Sequence, residues 1–329
     1  MTPDDDRDAV STIAAQVVPP EGCPPPLRCR QVAENWHAVA TPWSLPGSPL
    51  GTQGTVGGTG TPLYFLNAFG GCAELFTLTA WLLREDVRCV LLDWSAPTDR
   101  RRMTLDDFAA DVLAVADLLG DQQLAVYGAT FGAAVAARLA ATHPDRVSSV
   151  ILQGAWEQRR LSVGERLLAW WHRRSTQSLS TWAHRAEFQA ANHRVWFPPL
   201  DPDRWAWFLE TTGTIPLALM AAQARALDRV NLAADHARLA CPTLLLATEG
   251  DGPTSLGVQQ RIAAAHPRFR YEYQHSTGQH PYLTHPHRLV KLLKSQLLNG
   301  SGSTDAGGCC STSGGDASAA CCNGGEPQP

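Results

Sequence analysis

The sequence predicts an α/β protein: a mostly parallel, doubly wound sheet interrupted by a helical insertion. Three observations carry this expectation. Short runs that are apolar throughout alternate with segments of helical period, the pattern of a parallel sheet covered on both faces. The alternation stops near residue 156 and resumes near residue 242. With 329 residues, 44% of them apolar and 18% charged, the chain has material for a sizeable core.

The elements follow in order. Residues 1–30 read as a disordered lead-in that ends in the Pro24-Pro25-Pro26 stretch. Asn35-Trp36-His37-Ala38-Val39 is expected as an early strand, and Gly51 to Gly60 as a Gly/Thr-rich loop. Pro62 to Leu66 is an apolar strand, followed by a Gly70-Gly71 turn, a helical stretch from Ala73 to Arg84 and a buried strand from Val87 to Leu92. Thr104 caps a helix with Asp107 three residues on. Its apolar face runs through Phe108, Val112, Val115 and Leu119. Leu124 to Tyr127 is a strand, Phe131 to Ala141 a helix of small residues, and Val147 to Leu152 another strand. Residues 156–240 read as helices only, and seven of the eleven tryptophans fall between Trp156 and Trp207. Asp201-Pro202 starts one of these helices, as N-cap and N1. The pattern then resumes with a strand at Pro242 to Leu246, a helix at Leu256 to Ala265, a strand at Phe269 to Tyr273 and a last helix at Arg288 to Leu298. The main domain is therefore placed at 31–298, with a Gly/Ser/Cys-rich tail over 299–329 read as disordered.

Several function classes are disfavoured at this level. The net charge of -4 supplies no basic face for phosphate, so nucleic acid is not expected. MTPDDDRDAV lacks the apolar stretch of a secretory signal. No uninterrupted apolar run is long enough to span a bilayer, and the expected location is cytoplasmic. Cys23, Cys29, Cys72, Cys89 and Cys241 are scattered without metal-ligand spacing, so no metal site is expected. Cys89 and Cys241 read as small buried thiols. The pairs Cys309-Cys310 and Cys321-Cys322 read as exposed thiols of the tail.

Tyr127-Gly128-Ala129-Thr130-Phe131-Gly132 carries the chemistry. An apolar strand enters it and an alanine-rich helix leaves it, the context of a nucleophile elbow, in which a strained turn lifts one side chain clear of the sheet. The flanking glycines Gly128 and Gly132 allow the turn to bring helix and strand close together.

From about Thr61 to Leu298 the chain resembles the α/β-hydrolase superfamily, in the order nucleophile, acid, base. The resemblance makes Thr130 the nucleophile position. It makes Asp251, after Thr243 to Thr248, the acid, and His280, in Gly278-Gln279-His280-Pro281, the base. It places an oxyanion hole on the backbone N–H groups of Phe69 and Phe131 and implies no cofactor. The insertion becomes a lid over the C-terminal edge of the sheet, where ligands bind. The loop Leu66 to Phe76 is similar to that of maspardin-like members, which are regarded as non-catalytic binding proteins.

Two departures bear on activity. Typical members carry His-Gly where this chain has Asn67-Ala68. Typical members also carry serine at the elbow, where Thr130 adds a methyl group to a position that usually adopts φ > 0. The residues themselves leave bland readings open: Asp251 as a turn residue beside Gly252 and Pro253, and His280 as one of a solvated cluster with His285 and His287. Two functional readings result. One is an atypical ester or amide hydrolase using Thr130, His280 and Asp251 on a small apolar or acyl substrate. The other is a non-catalytic pseudo-enzyme that binds such a ligand, or a protein partner, in the lidded pocket.

Overall fold

The computed structural model describes residues 28–299 except 96, 98–101 and 200. The lead-in up to residue 27, the tail beyond 299, Cys23 and the paired tail cysteines lie outside the described residues.

Eight strands form one sheet: β1 (Thr41–Ser44), β2 (Gln53–Gly57), β3 (Thr61–Leu66), β4 (Val87–Asp93), β5 (Leu124–Ala129), β6 (Val147–Gln153), β9 (Thr243–Thr248) and β10 (Arg270–Gln274). Their order is β1-β2-β4-β3-β5-β6-β9-β10. The pairs from β4 to β10 are all parallel, whereas β1 and β2 add antiparallel at one edge. Alternate residues of the central strands enter opposite cores. Leu66, Val90, Val126 and Leu152 pack with α3 (Leu105–Leu118) and α4 (Phe131–Thr142). Phe65, Leu91, Tyr127 and Ile151 pack with α1 (Cys29–Val39), α2 (Thr77–Leu83) and α12 (Pro286–Asn299). Burial on both faces is why these strands read as apolar throughout. The Thr104 cap forms as expected, accepting from Asp107 N–H while Asp107 returns a bond to Thr104 N–H at 2.8 Å.

Three expectations are corrected. The stretch Asn35 to Val39 is not a strand but the end of helix α1, because Cys29, Val32, Ala33 and Trp36 bury at helical spacing against the second core. Helix α1 therefore begins before residue 31. The stretch Gly51 to Gly60 is not all loop. It contains β2, which pairs Thr55 with Leu91 and Val56 with Val90, so the neighbouring strand's backbone makes it a strand despite its glycines. Cys241 is half-buried rather than buried, unlike Cys89.

Between β6 and β9 lies an insert of four longer helices, α5 (Val163–His172), α6 (Arg185–His193), α7 (Pro202–Gly213) and α8 (Leu217–Leu227), with short α9 (Ala233–Arg238) after them. It is not purely helical. The two-residue strands β7 (Gln158–Arg159) and β8 (Val230–Asn231) pair antiparallel and close its neck. Asp201 caps α7 by accepting from Arg204 N–H at 3.0 Å. After β9 come α10 (Gly252–Ala265) and, past β10, the short α11 (Pro281–Thr284).

Candidate active site at the elbow

Thr130 stands between β5 and α4 with φ 43° and ψ −93°. A β-branched residue at positive φ is a strained backbone position worth roughly 1–3 kcal/mol, held by its surroundings. Those surroundings are visible. Thr130 N–H donates to Gln153 O at 2.8 Å, and Gly132 N–H donates to Asn67 O at 2.9 Å. A Cβ at Gly128 would collide with the Gly132 carbonyl, and one at Gly132 with the Leu66 carbonyl. The sequence reading of both glycines as close-approach residues is thereby explained.

The elbow faces the loop after β3. Phe69 N–H donates to Thr130 Oγ1 at 3.1 Å. The amide expected to serve an oxyanion is thus occupied by the hydroxyl of the nucleophile position. The Phe131 N–H opens α4, where the helix itself supplies no acceptor. The loop is anchored by Asp93 at the end of β4, whose Oδ1 accepts from Ala73 N–H at 2.6 Å and Asn67 Nδ2 at 2.9 Å. Burial pushes the Asp93 carboxyl up to about 6, against the pull of these two donors. Asn67 also donates to Leu92 O at 2.8 Å. An amide therefore ties down the position where a histidine is usual.

Asp251 and His280 come to the same end of the sheet. Gly250 N–H donates to Thr277 O at 3.0 Å, joining the acid turn to the histidine loop, and Gln153 Nε2 holds that loop through Gln279 O at 2.8 Å. A Cβ at Gly154 would lie 3.1 Å from Thr130 Cγ2 and 3.6 Å from Asp251 Oδ1, so acid and nucleophile flank one small space.

The hydrogen bonds do not run as a relay. Asp251 Oδ2 accepts from Thr248 N–H at 2.9 Å and from Gln259 Nε2 at 3.0 Å. Burial raises its carboxyl, opposed by those donors. His280 Nδ1 pairs with the Tyr282 hydroxyl at 2.7 Å, and its Nε2 is buried without a partner. The expected Asp251–His280 and His280–Thr130 bonds are absent. The physical reason lies in the aromatic packing behind the histidine. Tyr282 is buried 4.5 Å from the Phe76 ring, which itself packs on Phe65 and Tyr127. This fixes the phenol within reach of Nδ1. On its other sides His280 meets Phe208 and His193, both at 4.9 Å between ring centroids. Burial, and secondarily His193, pushes the imidazole down to about 3. It is therefore neutral across the physiological range and is held by the Tyr282 hydroxyl rather than by Asp251.

The insert reaches the site directly. Gln223 Oε1, on α8, accepts from Gly70 N–H at 3.2 Å, and Met220 of the same helix lies against Gly70. Sequence reading gave no role to Tyr282, Gln259, Asp93, Gln223 or His193. Asp93 had a visible signal, a carboxylate ending an apolar strand. The others depend on which side chains meet in space.

The model of the α/β hydrolase fold matches residues 61–286. The chain belongs to the α/β-hydrolase family. Solved structures agree in fold. One is a thermophilic esterase from Thermogutta terrifontis, 18% identical, covering 79% of this chain and 98% of its own at a TM-score of 0.63. Another is a hydrolase from Pseudomonas aeruginosa, 18% identical over 78% and 98% at 0.64. A third is a bromoperoxidase from Bacillus anthracis, 14% identical over 79% and 99% at 0.63. Compared by sequence with curated proteins, the chain finds no match. As an α/β-hydrolase it keeps the elbow and its glycines while carrying threonine at the nucleophile position. Among the described residues no His/Cys/Asp/Glu group is arranged to hold a metal, and no helix is long and apolar enough to cross a membrane.

Proposed function

We propose that this α/β-hydrolase holds a small apolar acyl compound over Thr130, beneath the insert acting as a lid, without hydrolysing it. The observation that carries this reading is the rerouted hydrogen bonding. His280 Nδ1 is spent on Tyr282, and the Phe69 amide on Thr130 Oγ1. General-base activation needs the base within hydrogen-bond reach of the hydroxyl, oriented by a third group. His280 Nε2 makes no bond to the hydroxyl, and the group that holds its Nδ1 is a phenol in place of the carboxylate. An apolar ligand is supported by the exposed Phe69 ring beside the elbow and by Met220 above Gly70.

A slow hydrolase is the second reading. It is supported by the placement of Thr130 and Asp251 around Gly154 and by a neutral imidazole at the same end of the sheet. Calorimetric titration with medium-chain fatty acids and their ethyl esters separates the two. Saturable heat with the ester recovered intact supports the binding reading. Ester turnover that Thr130→Ala abolishes contradicts it.

A further inference from the structure

Helix α5 is built inside out. Val163, Leu167 and Trp171, spaced four apart on one stripe, are 79%, 62% and 72% exposed, with Leu168 and Trp170 beside them also in solvent. Arg166 turns to the body instead, its Nε donating to Asp228 at 3.1 Å, and of the helix only Ala169 is buried. A surface helix ordinarily turns its apolar stripe inward. Trp182 extends the stripe, joined to α5 through the His172 ring at 6.1 Å.

The charge around this stripe is opposite to that of the whole chain. Between residues 157 and 194 seven arginines face three glutamates, against a net charge of -4 overall. Arg160, Arg173 and Arg174 have no acidic partner among the described residues. Arg173 caps the stripe, its guanidinium 4.2 Å from the Trp170 ring. It also acts on Arg225, whose guanidinium is held below the usual arginine range by burial and then by the like charges of Arg102 and Arg173. Exposed Trp, Leu and Val edged by unpaired arginines match an interfacial helix, apolar side chains entering the acyl boundary and cations meeting phosphate.

We infer that the α5 face docks this protein onto an anionic phospholipid surface, with Trp170, Trp171, Leu167 and Val163 inserted and Arg160, Arg173 and Arg174 at the headgroups. The mode is peripheral, since no described helix can span the bilayer. The consequence for the site follows from position. Helix α5 packs along α8, and α8 carries the Gln223 and Met220 contacts to the Phe69–Gly70 loop. Docking therefore sets the elbow one helix away from a source of acyl chains. The inference does not depend on whether Thr130 turns over substrate.

Flotation of the full chain with vesicles of phosphatidylglycerol mixed with phosphatidylcholine, at low and high salt, tests it. The wild type is expected to float with the anionic vesicles, less at high salt, and weakly with phosphatidylcholine alone. The double variant Leu167→Glu/Trp171→Glu should lose at least about tenfold in partitioning. Arg173→Gln/Arg174→Gln should lose about fivefold per arginine. Both pairs are surface positions, so melting temperatures should match the wild type. Absence of flotation at low salt overturns the inference. So does equal binding to neutral vesicles, or binding that Leu167→Glu/Trp171→Glu leaves intact. Self-association of the wild type that this pair abolishes overturns it as well, by making the face a contact between copies.

Discussion

Replacing Thr130 by serine removes one methyl group from a β-branched residue held at φ 43°. The structure sets both the energetic and the kinetic consequence. Cγ2 lies against Gly154, so its loss forfeits a partly buried methyl worth about 0.8 kcal/mol. Relief of a β-branched side chain at φ 43° returns a similar amount, of order 1 kcal/mol. Thr130→Ser should therefore fold with stability within about 1 kcal/mol of the wild type, measured by urea denaturation. For the chemistry, the serine hydroxyl inherits the Phe69 N–H bond, and His280 Nε2 still has no partner at the elbow. A positioned histidine is worth roughly 10²–10⁴ in rate, and that factor is what the geometry withholds. Hydrolysis of activated esters by Thr130→Ser should then stay within about tenfold of Thr130→Ala, across a range of acyl lengths. A rise of about a hundredfold or more that His280→Ala removes would refute the reasoning, since one methyl would then have been the whole defect.

Two further expectations concern stability. Burial holds His280 down to about 3 and His236 down to about 4. As pH falls below 6.5 the unfolded chain protonates both imidazoles while the folded chain does not, so stability falls by about 1.4 kcal/mol per pH unit for each. Asp93, pushed up to about 6, works in the opposite direction. The imidazole contribution is therefore read from His236→Gln, whose urea midpoints between pH 7 and about 4 should fall less steeply than the wild type's; parallel slopes would contradict it. The second concerns the elbow. Gly132→Ala places a Cβ against the Leu66 carbonyl, a backbone atom that cannot yield. It should cost roughly 3 kcal/mol or more, visible as a melting temperature lowered by several degrees. An unchanged melting temperature would mean that the close approach is not as drawn.

Much of the fold was legible because burial on both faces writes itself into the strands. Val126, Tyr127, Ile151 and Leu152 are apolar whichever core they enter. The misread pieces sit at the edge of the sheet. Trp36 and Val39 look strand-like locally, and only packing of Cys29, Val32 and Trp36 on the second core makes them helical. The strand β2 has few apolar residues of its own and exists because β4 offers a free edge. At the site, the elbow could be read from Gly128 and Gly132, whose need is steric and local. The partner of His280 could not. Asp251 and Tyr282 both lay in recognisable segments, and the choice between them was made by Phe76 behind the phenol ring and by Gln259 on the carboxylate.

The proposed function requires that the Thr130 hydroxyl is not activated. Fluorophosphonate treatment of the full chain, followed by intact-mass measurement and peptide mapping, tests it most directly. The probe reports activation by forming a covalent bond to a hydroxyl that an adjacent base has deprotonated. The rerouted bonds of His280 and Phe69 predict no adduct at Thr130 under conditions that label an ordinary serine hydrolase fully. A stoichiometric adduct on Thr130, lost in His280→Ala, would contradict the account and make this chain a threonine hydrolase.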